Sequence, residues 1–399
     1  MGLRILFFSN APWCNTGYGT QTAQAWWRIQ KLGHKIVAIA ANYGHEGMPL
    51  NVEVNGEKAE VWPKGYSQHG NDILAMHAKA AKADIVITLY DSWIFDPRIT
   101  AQFRWVPWLP IDHDPAPPQV VQALKSAWQP ICYAQYGMTK LREAGLDPLY
   151  VPHGIETSIF KPGNREEALA KLGVTDCDYL AVMVAANKGA PSRKSFREVF
   201  VAFAKFVKNH PKAMLYVHSH TGVEMAGEDL EGHAQLAGIP KENLRFADQY
   251  RLIMGYPPQV LATFYQAANV LLSPSYGEGF GLPIIEAQAC GCPVIVNDCS
   301  SMPELCFAGW KTTNTPFATP FMANQFRPDI ESIYQCLEES YKVKSSDMLK
   351  RKAVNGAKNY DADLVAETYW KPALEKIEAD IRQTTTTATS GVVFEDHAA

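Results

Sequence analysis

Nowhere in the 399 residues does an apolar run approach the roughly 18 that a membrane-spanning helix needs, so no integral membrane segment is expected. The opening residues, MGLRILFFSNAPWCNTG, lack the charged leader and small-residue cleavage site of a secretory signal and start almost at once on a strand-like run. Charge of either sign is not in excess: 37 Lys and Arg against 41 Asp and Glu leave a net charge of −4. Nucleic-acid binding through the whole chain is therefore not expected, since it calls for a basic domain; a local basic patch stays open. The eight cysteines are scattered without a framework, which fits a reducing, cytoplasmic compartment. Cys290, Cys292, Cys299 and Cys306 do not make the two Cys-x2–4-Cys pairs of a zinc site and read as buried free thiols. There is no G-x-x-x-x-G-K-[ST] phosphate loop, no local Ser/His/Asp or Cys/His pattern and no repeat array. A nicotinamide fingerprint would need glycine at position 22 and an acid after the second strand; Thr22 and IAAN stand there.

What is present is an ordinary globular composition, 47% apolar and 20% charged, in a chain long enough for two or three domains at roughly 100–200 residues each. Short β-rich runs (RILFFS 4–9, KIVAIA 35–40, DIVITLY 84–90, WVPWL 105–109, PICYA 130–134) alternate with helical patterns, the rhythm of a doubly wound parallel sheet. After VPHGIETSIFKPGN (151–164) the rhythm restarts with YLAVMVAA (179–186), MLYVHS (214–219), LRFA (244–247), NVLLSPS (269–275) and PVIVN (293–297). The expectation is an α/β protein of two Rossmann-like domains with parallel sheets facing a central cleft: residues 1–150, a linker over 151–175, a second domain over 176–360, a C-terminal helix over 361–383 and a flexible tail over 384–399. Trp26 and Trp27 with Arg28 and Lys31 read as a core-facing helix with a solvated edge, the alternative being contact with a membrane surface.

The segment richest in chemistry is NVLLSPSYGEGFGLPIIEAQACGCPVIVN (269–297). A buried strand runs into a glycine-rich loop and the loop into a helix. Gly279 and Gly281 free the backbone for close approach to a ligand, and Pro283 suits a first helical turn. The amides of Gly279, Phe280, Gly281 and Leu282 would then present an anion site at the positive end of the helix dipole. A carboxylate beside a phosphate site needs another task, and accepting hydrogen bonds from sugar hydroxyls is the natural one. Glu278 and Glu286, eight residues apart, thus suggest sugar on both sides of a phosphate group, that is, a nucleotide-sugar.

This segment, E-G-F-G-L-P-x-x-E-A-x-A-x-G-x-P-V, resembles the E-x7-E motif of retaining glycosyltransferase family 4, which has the GT-B fold. The resemblance implies that Glu286 binds the donor ribose, that Glu278 contacts the transferred sugar and that the amides after it bind the diphosphate. It implies an Arg and a Lys in the loop AANKGAPSRKSF to neutralise that diphosphate. Lys194 matches the Lys; register favours Lys188 for the Arg and residue type favours Arg193. Gly17, Tyr18 and Gly19 resemble the family's N-terminal glycine-rich loop, and His113, in Asp112-His113-Asp114, the histidine that many members aim at the donor sugar. The alternatives for that tripeptide are a capped turn and a D-x-D metal motif. VPHGIETSIFKP (151–162), SSMPEL (300–305) and YDADLVAETYW (360–370) resemble the family's linker, late loop and returning helix.

The resemblance implies a hexosyl transfer with retention at the anomeric carbon, from a UDP- or GDP-sugar to an acceptor hydroxyl, with the donor on the second domain, the acceptor on the first, and no metal or other cofactor. Alternatives are a nucleotide-sugar epimerase or sugar phosphorylase of the same fold, or a non-catalytic nucleotide-sugar binding module. The acceptor is left open among a sugar, a small molecule, a protein hydroxyl and a modified nucleobase. Eight of ten tryptophans precede residue 150, and Trp13 and Trp93, beside strand ends, are expected to line the cleft, where aromatic faces suit sugars. Residues 1–150 hold 13 Lys and Arg against 12 Asp and Glu, which points to a neutral acceptor rather than a polyanion.

Overall fold

A computed structural model describes residues 2–174, 176–223 and 226–390. The first eight strands, β1 (Arg4–Asn10), β2 (Lys35–Tyr43), β3 (Leu50–Val54), β4 (Glu57–Trp62), β5 (Ile85–Leu89), β6 (Trp105–Leu109), β7 (Ile131–Cys132) and β8 (Leu149–Tyr150), form one sheet in the order 3-4-2-1-5-6-7-8. All its pairs are parallel except β3 with β4. A second, wholly parallel sheet of order 11-10-9-12-13-14 holds β9 (Tyr179–Val184), β10 (Ala213–His218), β11 (Leu244–Phe246), β12 (Val270–Ser273), β13 (Val294–Asn297) and β14 (Gly309–Thr312). The central strands are apolar on both faces because helices cover both; every residue of β5 and β6 is buried. In the helix Phe196–Asn209, the rings of Phe196, Phe200, Phe203 and Phe206 fall three or four residues apart, on the face that packs on the second sheet.

Two hairpins were not expected, nor were the short strands β8 and β14. VEVNGEKAEV alternates and carries an Asn-Gly turn, with Asn55 and Gly56 both at positive φ, and it forms the β3–β4 hairpin rather than an irregular polar stretch. A second hairpin, β15 (Asn314–Ala318) with β16 (Asn324–Pro328), follows β14 and stands outside both main sheets.

The C-terminal segment folds back on the first sheet. Ile155 and Asp361 form a β-bridge, Trp370 packs 4.8 Å from Trp108 between ring centroids, and the Lys376 ammonium donates to Gln129. The helix Lys371–Ser390 runs past residue 384, where a flexible tail was expected, because TTTTATS holds no glycine or proline to stop it; residues 391–399 of that expected tail lie outside the described residues. Trp26 is fully buried and Trp27 nearly so, which makes their helix, Gly17–Lys31, core-facing. No helix among the described residues is long and apolar enough to cross a membrane.

Arg28 is the electrostatic tie of this region. Its guanidinium is buried and donates to Glu156 in the linker at 2.8 Å and to Asp363 in the returning segment at 2.7 Å. Arg28→Ala is expected to cost about 2 kcal/mol, the scale of hydrogen bonds to charged partners, read as a lower urea midpoint with an unchanged slope.

Candidate active site

The loops that meet between the sheets leave the carboxyl ends of β1, β5 and β6 on one side and of β9, β12 and β13 on the other, where open α/β sheets bind ligands. β12 leads through residues 274–281 into the helix Leu282–Ala289. Gly281 caps that helix at φ +110, a conformation that glycine adopts at little cost, and Pro283 sits in its first turn. Among the described residues, the backbone N–H groups of Gly279, Phe280, Gly281 and Leu282 donate to no protein acceptor. They are four free donors at the positive end of a helix, a site for an anion.

Glu278 lies inside this loop and is almost fully buried. Its Oε1 accepts from Ser275 Oγ at 2.6 Å and from the Lys194 ammonium, and its Oε2 faces Arg193 Nη1 at 3.1 Å. Burial works against its charge, but Arg193 and Lys194 outweigh that and hold the carboxyl down at about 2. Arg193 also donates to the Gly277 carbonyl, and its own carbonyl accepts from Tyr276 N–H, so residues 193–195 are stitched along residues 274–277. Burial and the neighbouring Arg193 lower the Lys194 ammonium from its ordinary range. Ser300 Oγ receives the Glu278 N–H, and Ser301 Oγ donates to the Glu278 and Phe280 carbonyls, which fixes the loop from below.

Glu286 stands one turn into the helix. It is buried, and among the described residues its carboxyl has one hydrogen-bond partner, the Tyr265 hydroxyl, which donates to Oε2 at 3.0 Å. Burial raises its carboxyl to about 7. The two glutamates thus differ in state: Glu278 is a compensated carboxylate, and Glu286 is half-protonated near neutrality.

The first domain closes over this loop. A Cβ on Gly277 would lie 2.3 Å from the Asp112 carbonyl oxygen, and one on Gly279 would lie 2.3 Å from Pro110 Cβ. Gly279 therefore also has to admit the first domain, a constraint its spacing along the chain does not show. His113, on the segment that follows β6, is buried, and its Nδ1 lies 2.6 Å from Asp112 Oδ1. Burial pushes the Asp112 carboxyl up, but His113 and Arg193 outweigh it and hold it below its ordinary value. Asp114 turns away to Lys140 at 2.8 Å, so the two carboxylates of the D-x-D pattern serve different partners.

Gly17, Tyr18 and Gly19 are not a loop. They form the first turn of the helix Gly17–Lys31, because Thr16 caps it by accepting the Gly19 N–H at 3.0 Å. That turn still faces the site: a Cβ on Gly17 would touch Leu282, and Tyr18 donates to Asp91 at 3.3 Å. Of the two contenders for the second cation, Arg193 reaches Glu278, whereas Lys188 is exposed elsewhere on the same segment.

Two residues escaped the sequence reading. Asp91 stands at the carboxyl end of β5, a position whose strand was legible. Glu304 accepts the Gln135 and Tyr136 N–H groups, both at 2.9 Å, and so caps a helix of the other domain; no local pattern announces that contact.

Residues 189–332 match the family model described as Glycosyl transferases group 1. The chain is similar to the D-inositol 3-phosphate glycosyltransferase of Segniliparus rotundus, 31% identical over 154 residues, which are 38% of this chain. The match spans only 32% of that relative's length. Among solved structures it is similar to sucrose-phosphate synthase from Thermosynechococcus elongatus, with TM-score 0.67 and 17% identity over 96% of this chain and 99% of the other. The Anabaena protein HepE in complex with UDP and glucose gives TM-score 0.65 and 15% identity over 94% and 100%. The chain has the GT-B fold, and its residues 189–332 carry a domain of the group 1 glycosyl transferases.

Proposed function

We propose that the protein is a retaining glycosyltransferase that moves a sugar from a nucleoside-diphosphate sugar to an acceptor hydroxyl without a metal. The observation that carries this reading is the charge set at the glycine loop. Four unpaired amides on a helix N-terminus, with Arg193 and Lys194 beside them, await an anion, and the carboxylate inside the loop, Glu278, is held ionised. A diphosphate fits that set, and HepE, of the same fold, binds UDP and glucose.

In this reading the diphosphate lies on residues 279–282 and Lys194, the Glu286 carboxylate accepts from the ribose hydroxyls, and Glu278 and His113 hold the donor sugar. Lys188 takes no part. The acceptor oxygen attacks the anomeric carbon from the face the nucleotide leaves. The bond from that carbon to the phosphate oxygen breaks as the bond to the acceptor oxygen forms. The acceptor proton passes to the departing phosphate oxygen. Lys194, Arg193 and the amides stabilise the charge that grows on the diphosphate, the task a metal performs in other designs.

UDP release from UDP-glucose is expected to be undiminished in excess chelator, and the NMR anomeric coupling of the product should match that of the donor. Activity that disappears in chelator and returns with a divalent cation would contradict the metal-free reading, and an inverted product would contradict retention.

A further inference from the structure

We propose that Asp91, Trp93 and Phe321 form the acceptor's seat, and that the acceptor is an uncharged sugar. The inference rests on the transferase reading and adds to it the place and chemical class of the second substrate. Asp91 leaves the carboxyl end of β5 and opens the short turn Ser92–Ile94, so Trp93 stands beside it. The Trp93 side chain is 44% exposed, large for an indole, and it is not used by either core. Phe321 comes from the other domain, at the tip of the β15–β16 hairpin. Its ring lies 5.5 Å from Trp93 and 5.5 Å from His113, centroid to centroid.

The hairpin is held at two points. Midway along β16 Phe326 N–H donates to the Tyr276 carbonyl at 2.9 Å, two residues from Glu278. Near its tip Asn324 and Asp114 exchange two backbone hydrogen bonds, of 2.8 and 3.0 Å, across the domains. The aromatic pair is therefore assembled only when both domains meet, and it abuts the histidine assigned to the donor sugar.

Aromatic faces pack against the C–H faces of a sugar ring, and a carboxylate accepts from its hydroxyls. Among the described residues, the one side chain that donates to the Asp91 carboxyl is the Tyr18 hydroxyl, at 3.3 Å, which leaves acceptor capacity on its oxygens. The charges nearby favour a neutral ligand. Asp91 and Asp112 face Arg193, which in the transferase reading is committed to the donor diphosphate. The other cations close by in the chain are taken: Arg98 by Asp96 at 2.6 Å and Lys140 by Asp114 at 2.8 Å. A phosphate monoester on this seat would meet two carboxylates, while Arg193 and Lys194 serve the donor side.

Saturation-transfer NMR on the full chain with UDP present tests this, with glucose, mannose, galactose, maltose and sucrose as neutral probes and glucose 6-phosphate and mannose 6-phosphate as charged ones. The expected result is transfer to at least one neutral sugar and none to its phosphate. Trp93→Ala should abolish that transfer, and Asp91→Asn should weaken binding about tenfold or more, as for loss of a hydrogen bond to a charged group. Both variants should keep the UDP-induced rise in melting temperature, which shows that fold and donor site are intact. Transfer that survives both substitutions, a sugar phosphate that binds as well as its parent, or no transfer to any neutral probe would overturn the acceptor seat. Absence of stabilisation of the unsubstituted protein by both UDP and GDP would instead strike the donor reading on which it rests.

Discussion

Lys194→Ala is expected to lower the turnover of the donor by about two to three orders of magnitude, the cost of removing one preorganised group from a developing oxyanion. The Lys194 ammonium is mostly buried and bound to Glu278. In a transferase it serves the leaving diphosphate, whose charge rises as the sugar departs, and water is too far excluded there to replace it. The loss should fall on kcat more than on KM, since the interaction strengthens in the transition state. Arg193→Ala should behave in the same direction, because its guanidinium shares Glu278 with Lys194. Lys188→Ala is the control: that side chain is exposed, and its removal should leave the rate within about twofold, as for a surface substitution. Release of UDP from UDP-glucose reads all three. A loss for Lys188→Ala with Arg193→Ala unaffected would show that the register along the loop, and not the contact with Glu278, selects the working cation.

Glu286→Gln should act in opposite directions on stability and on binding. In the folded protein burial raises the Glu286 carboxyl from 4.5 to about 7. The folded state therefore holds a proton that the unfolded chain has lost between about pH 4.5 and 7, and the stability from this group falls as pH rises through that window. Above it the buried carboxylate costs up to about 3 kcal/mol, from roughly 1.4 kcal/mol per pKa unit. Glutamine carries no such charge, so the variant should match the unsubstituted protein near pH 4.5 and exceed it at pH 8, by urea unfolding. It should also lose most of the stabilisation by UDP, because the amide cannot present a charged acceptor to the ribose hydroxyls. In the unsubstituted protein UDP should bind more tightly as pH rises through about 7 and level off above it. A variant that gains stability and keeps UDP affinity would leave Glu286 as a buried carboxyl without a role in donor binding.

The parts of this site that were legible in the sequence are those built from neighbours along the chain. Gly281, Pro283 and the two glutamates lie on one turn and one helix after one strand, so their order along the chain places them, while Arg193, Ser300 and Ser301 hold the loop from other segments. Where a residue answers to a distant segment, spacing does not show it. Gly279 reads as a ligand-approach glycine, yet it also has to make room for Pro110 in the other domain. Gly17, Tyr18 and Gly19 read as a loop through the family resemblance, yet Gly19 can carry no side chain beside the Cys14 carbonyl, and Thr16 caps the turn as the start of a helix. The helix Gln135–Glu143 has no side-chain cap of its own; Glu304 supplies it from 168 and 169 residues away. The β15–β16 hairpin was missed for the same reason, since its partners Trp93, His113 and Asp114 lie on the first domain. The β3–β4 hairpin is different: its Asn-Gly turn and alternation were open to view in the sequence.

The most direct test of the account is a crystal structure of the protein with the nucleoside diphosphate that stabilises it most. The account predicts the diphosphate oxygens within hydrogen-bond reach of the amides of residues 279–282 and of the Lys194 ammonium, with the ribose hydroxyls on Glu286. A nucleotide bound away from that loop, or one whose phosphates leave those four amides unpaired, would contradict it.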